Sequence, residues 1–110
     1  MTTHPSPGDA TVEKCLNIGH GFHEYDRATV LEILDKLDHR FTGIPAETVR
    51  LELMVKDRDH NDQKVTFEGH VAGMKTVVAT ATDEDVWVGL AHVRDEFLRQ
   101  FNDWKDQHRR

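Results

Sequence analysis

From Thr48 to Lys56 the chain alternates without a break. Val49, Leu51, Leu53 and Val55 fall on one side, and Arg50, Glu52, Met54 and Lys56 on the other. A period of two marks a β-strand with one buried face. The pattern returns over Lys64 to Val71, with Val65, Phe67 and Val71 inward and Thr66, Glu68 and His70 outward. Between the two runs, Asp57-Arg58-Asp59-His60-Asn61-Asp62-Gln63 holds no apolar residue and reads as a polar hairpin loop. Ala72-Gly73 turns the chain into a third run, Met74 to Thr82, where Val77, Ala79 and Ala81 continue the inner face. Strands with a single apolar face need an amphipathic cover.

Two segments supply it. Over Glu24 to Phe41, Val30, Leu34, Leu37 and Phe41 recur at the spacing of one helical face. Glu24 and Asp26 sit in the first turn, and His39 and Arg40 in the last, matching the helix dipole. Gly43, Ile44 and Pro45 close this first helix. The second opens at Asp83, Glu84 and Asp85, with Thr82 or Asp83 as its cap, and runs to about Gln107. Its core stripe is Val86, Leu90, Val93, Phe97, Phe101 and Trp104, and Trp87 lies one residue off, at the stripe's edge. Upstream, Val12, Leu16 and Ile18 alternate with Glu13, Cys15 and Asn17, apart from Lys14 on the apolar side. This reads as a short edge strand over Val12 to Ile18, ended by Gly19-His20-Gly21.

The expected fold is therefore α+β, in the order β-α-β-β-β-α, a four-stranded sheet with both helices on one face. The other face, with Glu13, Asn17, Arg50, Glu52, Lys56, Lys64, Glu68, Thr76 and Thr80, is mixed in charge and solvated. Residues 1–10, with two of the three prolines, read as a flexible leader. Residues 11–107 form the domain and 108–110 a basic tail.

At 110 residues there is room for one core. The 20 acidic residues exceed the 14 Lys and Arg, so any contact with nucleic acid must come from a local basic patch. Cys15 is the single cysteine, so no internal disulfide can form, which fits a reducing compartment. No apolar run approaches the roughly 20 residues of a membrane span, and no secretory signal opens the chain. The cytoplasm is the expected location. His20 and His23, with Glu24 adjacent, are too few to close a zinc site, and the other histidines are scattered. Asp83, Glu84 and Asp85 are explained by the helix start. Cys15 reads as a half-buried small residue. There is no Gly-rich phosphate loop, nucleophile elbow or Ser-His-Asp context. A binding protein is expected rather than an enzyme, with no catalytic residue, metal, cofactor, membrane or small-molecule substrate.

Three stretches carry a resemblance. Glu84-Asp85-Val86-Trp87-Val88-Gly89-Leu90 resembles the acidic, Asp, Met, Tyr, any, Ala, Ile opening of the second helix in the ribosome hibernation-promoting factor family. Members are also known as ribosome-associated inhibitors and sigma-factor modulation proteins. Phe97-Leu98-Arg99-Gln100-Phe101-Asn102 resembles that family's Leu, Glu, Arg, Gln, Leu, Asn segment. Leu34-Asp35-Lys36-Leu37-Asp38 resembles its Leu, any, Lys, Leu, Glu run. The likeness extends from about Val12 to Lys105. It implies a fold related to double-stranded-RNA-binding domains. It also implies a position on the small ribosomal subunit, in the channel of messenger and transfer RNA, where translation is stopped in stressed or stationary cells. RNA contacts come from Lys and Arg on the helices, which at matching positions are Arg27, Lys36, Arg99 and Lys105. Glu96 and Asp103 stand where the family favours Lys. They share with His92, Arg99 and Arg110 the stripe opposite the core. The alternative is a protein–protein interaction module that kept the fold and lost RNA binding.

Overall fold

In a computed structural model that describes residues 8–108, the alternating runs pair as their pattern requires. Strands β2 (Val49–Lys56), β3 (Gln63–Val71) and β4 (Val77–Asp83) form an antiparallel meander, with Leu53 opposite Phe67 and Phe67 opposite Ala79. A three-residue strand, β1 (Leu16–Ile18), joins β2 in parallel with Leu16 opposite Leu51. The result is a mixed sheet of order β1-β2-β3-β4. The parallel pair needs a crossover, and the helices α2 (Arg27–Ile33) and α3 (Lys36–Arg40) provide it. Helix α4 (Val86–Gln107) follows the sheet. Arg94 donates to the Ile33 carbonyl and Lys105 to that of Arg40, so α4 runs in the same direction as α2 and α3.

Val86, Leu90, Val93, Phe97 and Phe101 are all buried, as are Val49, Leu51, Leu53, Val65 and Phe67. Phe97 lies at the centre. Its ring is 5.3 Å from that of Phe67, 6.4 Å from that of Phe41 and 5.8 Å from that of Phe101. It occupies the space that a side chain at Gly69 would fill, since a Cβ there would fall 2.8 Å from its Cδ1. Trp104, expected in the core stripe, is half-buried, and its indole donates to the Gly73 carbonyl at 3.2 Å.

Four local expectations are corrected. Val12–Cys15 is one helical turn, α1, and not the start of the strand. The Thr11 hydroxyl caps it by accepting from Lys14 N, and Asp38 Oδ1 accepts from Val12 N at 2.8 Å. A strand would have put Lys14 on the apolar face, whereas the helical turn leaves it exposed and keeps Val12 buried. The first helix is not continuous either. A 3-10 turn, Glu24–Asp26, precedes α2, and tighter bonds from Leu37 N to Leu34 O and from Asp38 N to Asp35 O divide α2 from α3. Three-residue spacing stacks side chains, so Leu34 and Leu37 both stay fully buried across the break. The cap of α4 is Asp85, whose carboxylate accepts from Trp87 N at 2.9 Å, while Asp83 accepts from Asp85 N at 2.8 Å.

Finally, Gly8 to Ala10 belong to the fold and not to a leader. Ala46 N donates to Gly8 O, Ala10 N donates to Ile44 O at 2.7 Å, and Ala10 is fully buried. The rest of the expected leader, residues 1–7, lies outside the described residues, as do Arg109 and Arg110 of the expected tail. The His108 ring lies beside that of Trp104, tilted to it, with centroids 5.4 Å apart.

Replacing Phe97 by Ala should cost about 3 to 5 kcal/mol through the cavity left behind. Gly69→Ala should cost about 1 to 3 kcal/mol by overpacking against the same ring. In the Phe97→Ala background that second penalty should largely vanish, because the ring it strikes is gone. Urea denaturation of the two single variants and the double variant measures the coupling.

Candidate functional site

The four basic residues singled out from the sequence do not form one surface. Arg27 opens α2 and lines a recess beside β1 with Leu16, Asn17, Ile18, Phe22, His23 and Glu24. Lys36 is exposed on α3, one turn before Arg40, so the two share a helical face. Lys105 reaches the same end of the molecule, with Nζ 3.5 Å from the Arg40 carbonyl oxygen and 5.7 Å above the Phe101 ring. A recess lined by Arg40, Asn102, Lys105 and Asp106 lies between the C-terminal ends of α3 and α4. Arg40 was not among the expected RNA-binding residues. Its signal was its spacing of four from Lys36.

Arg99 is engaged within its own helix. Its guanidinium lies 2.6 Å from Glu96 Oε2 and 3.6 Å from Asp103 Oδ2, and 61% of its side chain is exposed. The same contact, with a second hydrogen bond from Gln100, holds the Glu96 carboxyl below the usual carboxylate range. The stripe therefore offers no open positive charge at Arg99. Lys36, Arg40 and Arg27, by contrast, enter no ion pair among the described residues. On the outer sheet face Lys56 and Lys64 stand directly opposite one another, beside Met54 and His20.

At the other end of the helical layer the loop expected to be purely polar contributes a half-buried cation. Arg58 turns inward, with 16% of its side chain exposed, against Asp26 with 5%. Its Nη1 donates to Asp26 Oδ2 at 2.9 Å and to the Gly21 carbonyl at 3.1 Å. The guanidinium lies 5.6 Å from the Phe22 ring and 5.5 Å from that of Trp87, within reach of favourable cation–π contact with both. Trp87 thus packs against Phe22 and Arg58 at the edge of the core. The hairpin can present Arg58 because Asp57 and Asp59 adopt positive φ on either side of it, a conformation that Asp tolerates. Gln63, also buried, secures the loop by accepting from Asp59 N and donating to Glu84 O. Gly21 is required as well: its φ is +91°, and a Cβ there would collide with the Val55 carbonyl oxygen. Sequence periodicity could not find Arg58, since a single charged residue in a polar loop carries no pattern.

His20 and His23 do not converge. His20 lines the recess with Met54, whereas His23 stacks on Tyr25 at 4.9 Å. Among the described residues no three His, Cys, Asp or Glu side chains are grouped as a metal site would need. Cys15 is half-buried, burial pushes its thiol upward, and its Sγ lies 3.7 Å from the Ala46 carbonyl oxygen. No described helix is long and apolar enough to cross a membrane. Compared with models of protein families and with curated proteins, the chain matches none.

The Arg58 hydrogen bonds hold the Asp26 carboxyl below its ordinary value. A carboxylate with a depressed folded pKa stabilises above its unfolded pKa, and that contribution is lost as pH falls through the folded value. Arg58→Met should cost about 3 to 5 kcal/mol at pH 7, because it leaves Asp26 buried without its partner. The stability gap between the natural chain and Asp26→Asn should be widest above about pH 5 and close as the pH falls below about 4. Urea titrations at stepped pH measure both.

Proposed function

We propose that this domain is a non-catalytic, ribosome-associated factor of the hibernation type. It docks on the small subunit or on similarly structured RNA through the C-terminal end of its helical layer. The observation that carries this reading is the meeting of Arg40 and Lys105 where α3 and α4 end, with Lys36 one turn before Arg40 on α3, on a chain with a formal net charge of −6. Concentrated cations on an acidic background steer one edge toward phosphate while the remainder is repelled, which fixes orientation. The β-α-β-β-β-α order supports it too, since that is the order the family resemblance implies.

Arg99 contributes little to this interface as it stands, since Glu96 and Asp103 cancel its charge. That pairing favours a second reading, in which the exposed ion-paired face of α4 meets a protein. β4 is a sheet edge, and Val78 on it is exposed, so a partner chain could also add there.

Co-sedimentation with purified small subunits across a salt series separates the two. Replacing Lys36, Arg40 and Lys105 by Ala should weaken binding and lower the logarithmic salt slope by about 0.7 to 0.9 for each phosphate no longer neutralised. Arg99→Ala should change binding less than any of these. Glu96→Lys combined with Asp103→Lys should tighten binding, and Arg99→Ala should then become harmful. Subunit binding that is indifferent to salt and to all three cations would sink the RNA reading and leave the protein-partner reading.

A further inference from the structure

Tyr25 is the most exposed large apolar side chain among the described residues, at 79%. It is not a loose end. Its ring lies nearly parallel to that of His23, with centroids 4.9 Å apart and planes 11° from coincidence. One face of the phenol ring is thus occupied and the other is open. The segment that bears both rings is firmly anchored. Asp26, one residue beyond Tyr25, is buried, accepts from His23 N at 2.8 Å and is gripped by Arg58. Arg58 in turn holds the Gly21 carbonyl and lies against both Phe22 and Trp87. A buried ion pair contributes little net stability, since desolvation offsets its attraction. Its evident effect here is to fix residues 21–26, and so the stacked pair that projects from them.

Arg27 follows directly. Its side chain is exposed and without an ion pair among the described residues, and it lines the recess beside β1 together with His23. Glu24 lines the same recess, so any ligand must place its negative charge nearer Arg27. A flat open aromatic face, a second ring behind it and a cation in the recess that this second ring also lines make the combination that takes an unpaired base with its phosphate. A peptide is the rival occupant, since the recess also runs along edge strand β1, but it would not by itself make use of the open ring face.

Building on the RNA reading above, we propose that the His23–Tyr25 stack is a platform for an unpaired nucleobase, with Arg27 taking the adjoining phosphate. It lies at the N-terminal end of α2, and the cations of Arg40 and Lys105 lie at the opposite end of the helical layer. The RNA is therefore contacted at two separated points. Because the loop is already fixed, little ordering entropy opposes the stack.

The full chain is titrated with a short single-stranded RNA carrying one 2-aminopurine, whose fluorescence falls when it stacks. The natural chain should quench it. Tyr25→Ala should remove the quench and weaken binding about 5- to 150-fold, with an unchanged melting temperature because the side chain is exposed. Tyr25→Phe and Tyr25→Trp should retain both effects. Arg27→Ala should lower the logarithmic salt slope by about 0.7 while leaving the quench. Subunit co-sedimentation of the same variants separates the two levels. Absence of all subunit and RNA binding by the natural chain would overturn the RNA reading and the platform with it. RNA binding that ignores Tyr25→Ala would overturn the platform alone. Subunit binding that needs Tyr25 with no quench of the probe would assign the ring to a ribosomal protein and equally overturn the base platform.

Discussion

The contact between Phe97 and Gly69 sets the distance between the two layers of this fold. A helix lies on a sheet only as closely as the side chains between them allow, and here the sheet contributes no side chain at its central position. The ring of Phe97 fills that gap and touches Phe67 of the sheet, Phe41 at the end of α3 and Phe101 one turn further on. Edge-to-face geometry at Phe67 and Phe41 adds specificity beyond burial, because each ring constrains the tilt of the others. α4 cannot rotate about its axis without losing this fit. Everything placed by α4, from Trp87 at its start to Lys105 at its end, inherits its position from that packing.

A second constraint acts at the start of the helical layer, and it is electrostatic. Asp26 and Arg58 come from segments 32 residues apart and meet beneath Phe22 and Trp87. Neither charge is stable there without the other. The pair therefore couples the crossover between β1 and β2 to the hairpin between β2 and β3, two loops that share no strand-pairing requirement. Hydrophobic contacts alone would tolerate some sliding of these loops. A bidentate ion pair does not, since its hydrogen bonds are directional.

Charge on the surface follows from these two anchors. Because α4 runs parallel to α2 and α3, like ends of the helices are neighbours. Arg40 at the end of α3 and Lys105 in the last turn of α4 consequently meet at one corner, as the helix dipole alone would encourage. Arg99, between the two ends, is neutralised by Glu96 and Asp103 on the same helix. An acidic chain thereby brings Arg40 and Lys105 together at one end of its helical layer and leaves Arg27 exposed at the other, while Arg99 between them is paired.

The residues that alternate or recur with helical spacing settle their own elements. Val49 to Val55, Val65 to Val71 and Val86 to Phe101 each carry enough buried positions that no other assignment satisfies them, and the mixed α+β layering follows from having one apolar sheet face and two apolar stripes. Short segments behave differently. Over Val12 to Ile18 the alternation of apolar residues favoured a strand, but a single helical turn capped by Thr11 removes Lys14 from the apolar side, and Asp38, 26 residues away, completes it. The break between α2 and α3 likewise reflects packing of Leu34 and Leu37, not any breaker in the sequence. The individual cations were legible as candidates, but whether they are open or cancelled was not, because Arg99 owes its neutrality to side-chain geometry and Lys105 its place to the direction of α4. Arg58 is the extreme case. Periodicity reports only what repeats along a chain, and a buried charge owes its existence to a single distant partner that tertiary structure alone brings within 3 Å.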